Sequence, residues 1–112
     1  MKARTEVVLW AAQRVSAMVL AVCVLIHLIM IVYAVRHGLS ATQILGRTRG
    51  NGLWAGFYAL FVVMVAVHAP IGLRTVLAEW CRWRGASRDF FVLLFGIALA
   101  LFGLRAVFAV FL

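Results

Sequence analysis

Acidic residues are the scarcest feature of this sequence, whose 112 residues contain three Asp or Glu against eleven Lys or Arg. Charged residues of both signs make up 12% of the chain, about half of the ~25% usual in soluble domains. Hydrophobic residues make up 67%. A water-soluble protein of this size could not bury so much apolar surface, because small domains bury the smallest fraction of their surface. The composition therefore predicts a single integral membrane domain.

Cysteine is also scarce, and its spacing excludes the usual cysteine sites. Cys23 lies inside the first apolar run and Cys81 follows the second. There is no C-x-x-C motif and no Cys–His spacing typical of a metal site. We therefore expect a packing residue and a free thiol, and no disulfide between two positions of such different depth.

Three apolar runs are long enough to cross a bilayer, since an α-helix needs roughly 20 residues to span the ~30 Å hydrocarbon core. The first run is too long, and starts too late, for a signal peptide, so we expect it to be retained. Two loops separate the runs, and Ser87 in the second loop is the predicted N-cap of the third span. We predict an all-α membrane-anchor domain over residues 1–112, with no room for a soluble domain and with spans at 15–35, 53–77 and 90–112.

The basic residues predict the orientation of the spans, because cytoplasmic loops carry an excess of Lys and Arg. Three arginines flank the first loop, with Arg105 toward the same side: Arg36, Arg47 and Arg49. Seven basic residues flank the N-terminal lead and the second loop: Lys2, Arg4, Arg14, Arg74, Arg82, Arg84 and Arg88. The N-terminus and the second loop are therefore predicted to be cytoplasmic. Topology explains the net charge of +8 better than nucleic-acid binding does.

His27 and His68 are ionisable residues inside the predicted spans, where such residues are costly and mark functional sites by default. Neither has an acid or a second titratable partner within its own span, which argues against a proton-coupled transporter. A neutral imidazole needs partners for both nitrogens, and a haem iron or an oxygen on a neighbouring helix can serve. The sequence leaves open whether the two histidines lie at the same depth.

Several residues near these histidines have both a ligand-binding and a packing interpretation. Gly72 leaves space for either a flat macrocycle or a close helix contact. Arg14 and Arg74, at the same membrane boundary, suit haem propionates, a quinone head group or lipid phosphates. Small residues predict two helix–helix seams, one at Gly52 and Gly56 and the other at Gly96, Ala100 and Gly103.

The segment from His68 to Trp80 resembles the cytochrome b membrane-anchor subunits of succinate dehydrogenase and fumarate reductase (respiratory complex II). In that family the second span carries His-x-x-x-Gly-hydrophobic-Arg, then an acid eleven residues after the His and an aromatic residue beside it. A weaker match is Gln13-Arg14-Val15-Ser16, similar to the family's His-Arg-x-Ser at the start of span one. The residues that match the longer pattern are His68, Gly72, Leu73, Arg74, Glu79 and Trp80.

The resemblance implies that His68 is an axial ligand of a b-type haem. Some members with two haems use histidines of both spans, so His27 is the candidate ligand of a second haem iron, with one haem as the default. The residues expected around the cofactor are His68, His27, Arg74, Arg14, Ser16 and Gly72.

The resemblance also implies a quinone site near Arg14, Trp80 and Glu79. Trp80 stands where the family has a tyrosine, and it can donate a hydrogen bond but cannot deliver a proton. Gln13 replaces the family's histidine beside Arg14, which removes any proton or propionate role of that histidine.

A bacterial cytoplasmic membrane and three partners follow from the resemblance: an iron–sulfur subunit, a flavoprotein subunit, and a second anchor subunit or a second copy of this chain. The second anchor would supply the other axial ligand, and electrons would pass between the iron–sulfur subunit and membrane quinone in either direction. Two rival interpretations remain, a haem-free anchor that docks a partner enzyme and, less favoured, a small transporter subunit.

Overall fold

The computed structural model describes residues 3–112, so Lys2, counted above among the basic residues, lies outside the described part. Residues 3–112 form only helices and the turns between them. Three helices are long and apolar enough to cross a membrane, which confirms the predicted class. In chain order the helices are α1 (Ala3–Arg36), α2 (Ala41–Thr48), α3 (Gly52–Trp80) and α4 (Ala86–Phe111).

α1 begins twelve residues before the predicted start of span one, because the lead is itself helical. Residues 3–14 contain no Gly or Pro and include three Ala, two Arg and one each of Leu, Gln and Glu, which favour helix. The apolar run therefore continues an existing helix. The result is a helix about 50 Å long at ~1.5 Å per residue, more than enough to cross the bilayer.

The first loop differs from the prediction, because it contains the short helix α2. Ser40 and Gln43 form a capping box: the Gln43 amide donates to Ser40 Oγ at 3.2 Å, and the Ser40 amide donates to Gln43 Oε1 at 2.7 Å. Two hydrogen bonds then tie the end of α2 to the end of α4. Thr48 Oγ1 donates to the Val110 carbonyl at 2.8 Å, and the Gly50 amide donates to the Phe111 carbonyl at 2.8 Å.

The predicted N-cap of the third span is wrong. α4 begins at Ala86, its N-cap position is Gly85, and no side chain caps it. Gly85 has φ of +97°, in the left-handed region that favours glycine. The chain reversal between α3 and α4 therefore requires a glycine here in place of a capping side chain. Ser87 lies in the first turn, where its hydroxyl instead accepts a hydrogen bond from the Trp83 indole at 2.8 Å.

α3 lies between α1 and α4 and packs against both. The α3–α4 seam depends on glycines: a Cβ on Gly96 would lie 2.7 Å from Pro70 Cγ, and one on Gly103 would lie 2.5 Å from Val62 Cγ1. This confirms the predicted seam on the third span. Gly52 and Gly56, by contrast, face open space, with nothing within 4 Å of an added Cβ in the described part of the chain.

We predict that Gly96→Ala destabilises the chain by about 1–3 kcal/mol, because the rigid Pro70 ring cannot give way to the added methyl group. The matched control is Gly56→Ala, which adds the same methyl to open space and should be neutral or slightly stabilising, since Ala favours helix. Thermal unfolding of the purified chain in detergent measures both. A Gly96→Ala melting temperature at or above that of the wild type would show that this seam is not tightly packed.

Candidate functional site

His68 of α3 faces Ser16 of α1 inside the predicted spans. Ser16 is 1% exposed, and its Oγ lies 3.4 Å from His68 Nδ1. The Ser16 hydroxyl donates its own hydrogen to the Gln13 carbonyl at 3.1 Å, so it offers Nδ1 a lone pair. The network therefore favours the tautomer in which Nδ1–H donates to Ser16, which leaves Nε2 without a proton.

Gly72 lies one turn beyond His68 and marks the close approach of α1 to α3. A Cβ on Gly72 would lie 3.2 Å from Gln13 Nε2. Gln13 Oε1 is buried and has no hydrogen-bond partner among residues 3–112. Gln13 therefore fills the space beside Gly72. Gly72 thus has a helix-packing role, and its role beside a macrocycle stays a prediction.

His27 lies at another depth from His68. Its ring packs edge-on against Tyr58 and Phe61, at centroid distances of 5.7 and 5.6 Å. Ser16, which faces His68, is eleven residues before His27 on α1, or about 16 Å along the helix axis. At this separation the two histidines would be too far apart to hold the same iron.

His27 also differs from His68 in its hydrogen bonding. Its Nδ1 is buried and has no partner in the described part of the chain. The ring lines two surface cavities at the end of the bundle where α2 lies. One, of about 550 Å³, is bounded by α1, α2 and α3, and the other, of about 600 Å³, by α2, α3 and α4. These cavities were not predicted, because the first loop was expected to contain no helix, although the Ser40–Gln43 capping pattern is visible in the sequence.

Ion pairs join α1, α3 and α4 at the opposite end of the bundle. Arg74 donates to Glu6 at 3.2 Å through Nη2 and to Asp89 at 3.2 Å through Nε. Arg88, which is buried, also pairs with Asp89, at 2.9 Å. Arg74 is thus neutralised within the chain. A propionate or a quinone head group would have to compete with two carboxylates for it.

The three residues predicted to line a quinone site lie on the surface of the chain. Arg14 is exposed and stacks over the Trp10 ring at 5.2 Å. Gln13 and Ser16 face α3, so Arg14 points about 130° away from that helix. Trp80 is 83% exposed. Glu79 is exposed beside a polar surface cavity of about 640 Å³. This chain alone does not enclose a pocket between Arg14 and Trp80.

These features define a class of protein: a three-span helical membrane subunit with a hydroxyl-bonded histidine inside the membrane and an ion-pair cluster at one end. A family model described as "Succinate dehydrogenase/Fumarate reductase transmembrane subunit" matches residues 1–108. The chain belongs to this family, which confirms the resemblance found in the sequence. The chain matches no curated protein and no solved structure.

We predict that Asp89→Asn destabilises the chain by about 1–3 kcal/mol, because it leaves the buried Arg88 without a counter-charge. Glu6→Gln is the control: Glu6 has a side chain 52% exposed and pairs with Arg74 alone, so its loss should cost less than about 1 kcal/mol. Thermal unfolding in detergent compares the two variants. Equal melting temperatures would mean that the Arg88 pair contributes nothing beyond a surface contact.

Proposed function

We propose that this chain is the haem b-binding, quinone-site-forming membrane anchor of a succinate:quinone oxidoreductase or quinol:fumarate reductase. Membership of the transmembrane-subunit family supports the anchor role. The observation that supports the haem is the contact of His68 Nδ1 with the buried Ser16 hydroxyl. The proposed role of the chain is to bind the cofactor and to shape the quinone site, while succinate or fumarate chemistry belongs to the soluble subunits.

The surroundings of His68 fit a haem ligand. A metal-binding histidine almost always donates its second ring N–H to an oxygen, which fixes the tautomer and the orientation of the ring. Ser16 offers such an oxygen to His68 Nδ1, and Nε2 is left to bind iron. His68 is half-buried, so part of its ring reaches the surface of the chain, where a cofactor shared with another subunit would lie. When bound, the haem supplies a one-electron carrier.

His27 fits the role of an axial ligand less well. Its buried Nδ1 has no oxygen to donate to within residues 3–112, and two aromatic rings pack against it nearly at right angles. We therefore assign a single haem to His68 and no iron to His27. Since His27 is too distant from His68 to hold the same iron, a second anchor subunit or a second copy of this chain would supply the other ligand.

The proposed quinone site lies where the chain meets its partners. The Trp80 indole N–H is exposed and free to donate to a quinone carbonyl, and the neighbouring Glu79 carboxylate can hold the proton that an indole cannot deliver. Arg14 adds a cation that pairs with no carboxylate in the described residues. The iron–sulfur subunit and the second anchor would enclose these side chains, and the flavoprotein subunit would dock on the iron–sulfur subunit.

A haem-free anchor is the alternative function, and one observation favours it. The Ser16 contact already satisfies one nitrogen of His68, as it would for a histidine that only joins two helices. Under this alternative, replacing His68 changes the stability of the chain and no optical property of the complex.

We predict that His68→Ala abolishes the reduced b-type absorption of the purified complex, because the iron loses an axial ligand. His27→Ala is the matched control and should keep one haem per pair of anchor chains. Dithionite-reduced minus oxidised spectra and haem quantification measure both, with immunoblots of the membranes to show that each variant is inserted. An unchanged spectrum in His68→Ala would eliminate His68 as the ligand, and loss in His27→Ala would reverse the assignment.

We predict that Ser16→Ala raises the haem midpoint potential. The same change should weaken haem affinity by about 10-fold or more. Without an acceptor for Nδ1–H, the imidazole is a poorer donor to the ferric iron, so the ferrous state gains relative stability. Ser16→Thr keeps a hydroxyl at the same position and should restore the wild-type potential. A potentiometric titration measures this, and equal potentials in Ser16→Ala, Ser16→Thr and wild type would remove Ser16 from the positioning role.

We further propose that the N-terminus and the α3–α4 turn face the cytoplasm of a bacterial cell. The ion pairs of Arg74 with Glu6 and Asp89 hold these two segments at one end of the bundle, where most of the basic residues also lie. The side of the membrane from which one residue of this turn is accessible therefore gives the orientation of the whole chain.

Cys81 is such a site, because it is a free, exposed thiol just after α3, whereas Cys23 is buried. We predict that a membrane-impermeant maleimide labels Cys81 in inside-out vesicles and fails to label it in intact spheroplasts. Labelling after detergent solubilisation controls for burial by partner subunits, and Cys81→Ser identifies the labelled thiol. Labelling in intact spheroplasts would place the turn outside the cytoplasm.

A further inference from the structure

Helix α2 packs over the ends of α1 and α3 and forms a cavity with them. His27 lines this cavity and His68 does not. The cavity of about 550 Å³ lies between α1, α2 and α3. Its walls are mostly apolar and aromatic, and a single charged side chain, Arg47, lines it. The lining also includes His27, Met30, Ala34, Ile44 and Trp54.

Arg47 is held at this cavity without an anionic partner. Its guanidinium lies 5.4 Å from the centroid of the Tyr33 ring, an arrangement that orients a cation. Residues 3–112 provide no carboxylate and no hydrogen-bond acceptor to its N–H groups. An arginine has five such donors and prefers oxyanions that accept two of them at once.

The distribution of charge strengthens the need for an anion at this end. The three acidic residues of the sequence, Glu6, Glu79 and Asp89, all lie at the opposite end, beside Arg74 or the turn after α3. The end that carries α2 has arginines and no acid: Arg36, Arg47, Arg49 and Arg105. No acidic side chain at this end would compete with an anionic ligand for these arginines.

The depth of each side chain indicates where the two parts of the ligand lie. Arg47 lies on α2, in the connection between the first two membrane-spanning helices, where the chain is outside the hydrocarbon region. The Arg47 guanidinium lies over the Tyr33 ring, and His27 is six residues before Tyr33 on α1, about 9 Å deeper. The ligand must therefore place an anion at the membrane surface and an apolar chain within the hydrocarbon region.

We infer that this cavity binds one anionic phospholipid. The phosphate pairs with Arg47, and an acyl chain lies along Met30, Ile44 and Trp54 toward His27. Lipid in this position fills the space beside the unpartnered His27 and links α2 to the two spans beneath it. The inference does not depend on whether His68 binds haem.

The test compares Arg47→Gln with Arg49→Gln in the whole purified complex. Arg49 carries the same charge two residues away and does not line the cavity. After detergent extraction and exchange into phosphatidylglycerol, native mass spectrometry counts the lipids retained per complex. We expect one retained lipid per copy of this chain in wild type and Arg49→Gln, and about tenfold weaker retention in Arg47→Gln.

A second pair of variants tests the apolar wall with both arginines intact. Ala34→Phe places a ring in the cavity and should displace the lipid, whereas Ala21→Phe, on an exposed part of α1, should not. Phosphatidylcholine should be retained less than phosphatidylglycerol, and inorganic phosphate should not displace either lipid.

Three results would overturn the inference. Equal lipid retention in Arg47→Gln and Arg49→Gln would indicate unspecific boundary lipid. Equal retention of phosphatidylcholine and phosphatidylglycerol would remove the charge requirement. A second haem in the wild-type complex that is lost from Arg47→Gln, while the haem that depends on His68 is retained, would assign the cavity to that second haem. None of these results bears on the haem at His68, which the spectra of the His68 and His27 variants test separately.

Discussion

The contact between α1 and α3 at Ser16 and His68 is the constraint on which the proposed site depends. A half-buried imidazole needs an oxygen partner, and the buried Ser16 hydroxyl is in turn satisfied by the Gln13 carbonyl. The missing Cβ of Gly72 lets Gln13 pack against α3 one turn away. Gln13 and Ser16 thus both pack α1 against α3 and orient His68. A substitution that changes the helix packing here is therefore expected to change the orientation of the imidazole.

The two ends of the bundle use charge in opposite ways. At one end, Arg74, Arg88, Glu6 and Asp89 form internal ion pairs that hold three spans together. At the other end the arginines have no acid near them, and two backbone-directed hydrogen bonds join α2 to α4 instead. The first end is therefore stabilised from within the chain, while the second is suited to attract phosphates from outside it.

Much of the fold could be predicted from the sequence, because apolar length and arginine placement alone define membrane spans. The seam at Gly96 and Gly103 was also predictable from its spacing. Two of the features that were not predicted show why. The N-cap of α4 is Gly85, since a chain reversal with positive φ overrides the preference of a serine for capping. The different depths of His27 and His68 depend on the register of α1 against α3, which interhelical contacts determine and one sequence does not encode visibly.

The spectrum of the intact wild-type complex tests the haem assignment most directly. A dithionite-reduced minus oxidised difference spectrum, together with a haem determination per copy of this chain, should show a b-type band and one haem per pair of anchor chains. The absence of a b-type band would contradict the proposal and leave a haem-free anchor. Two haems per pair would contradict the assignment of His27 as a residue that binds no iron.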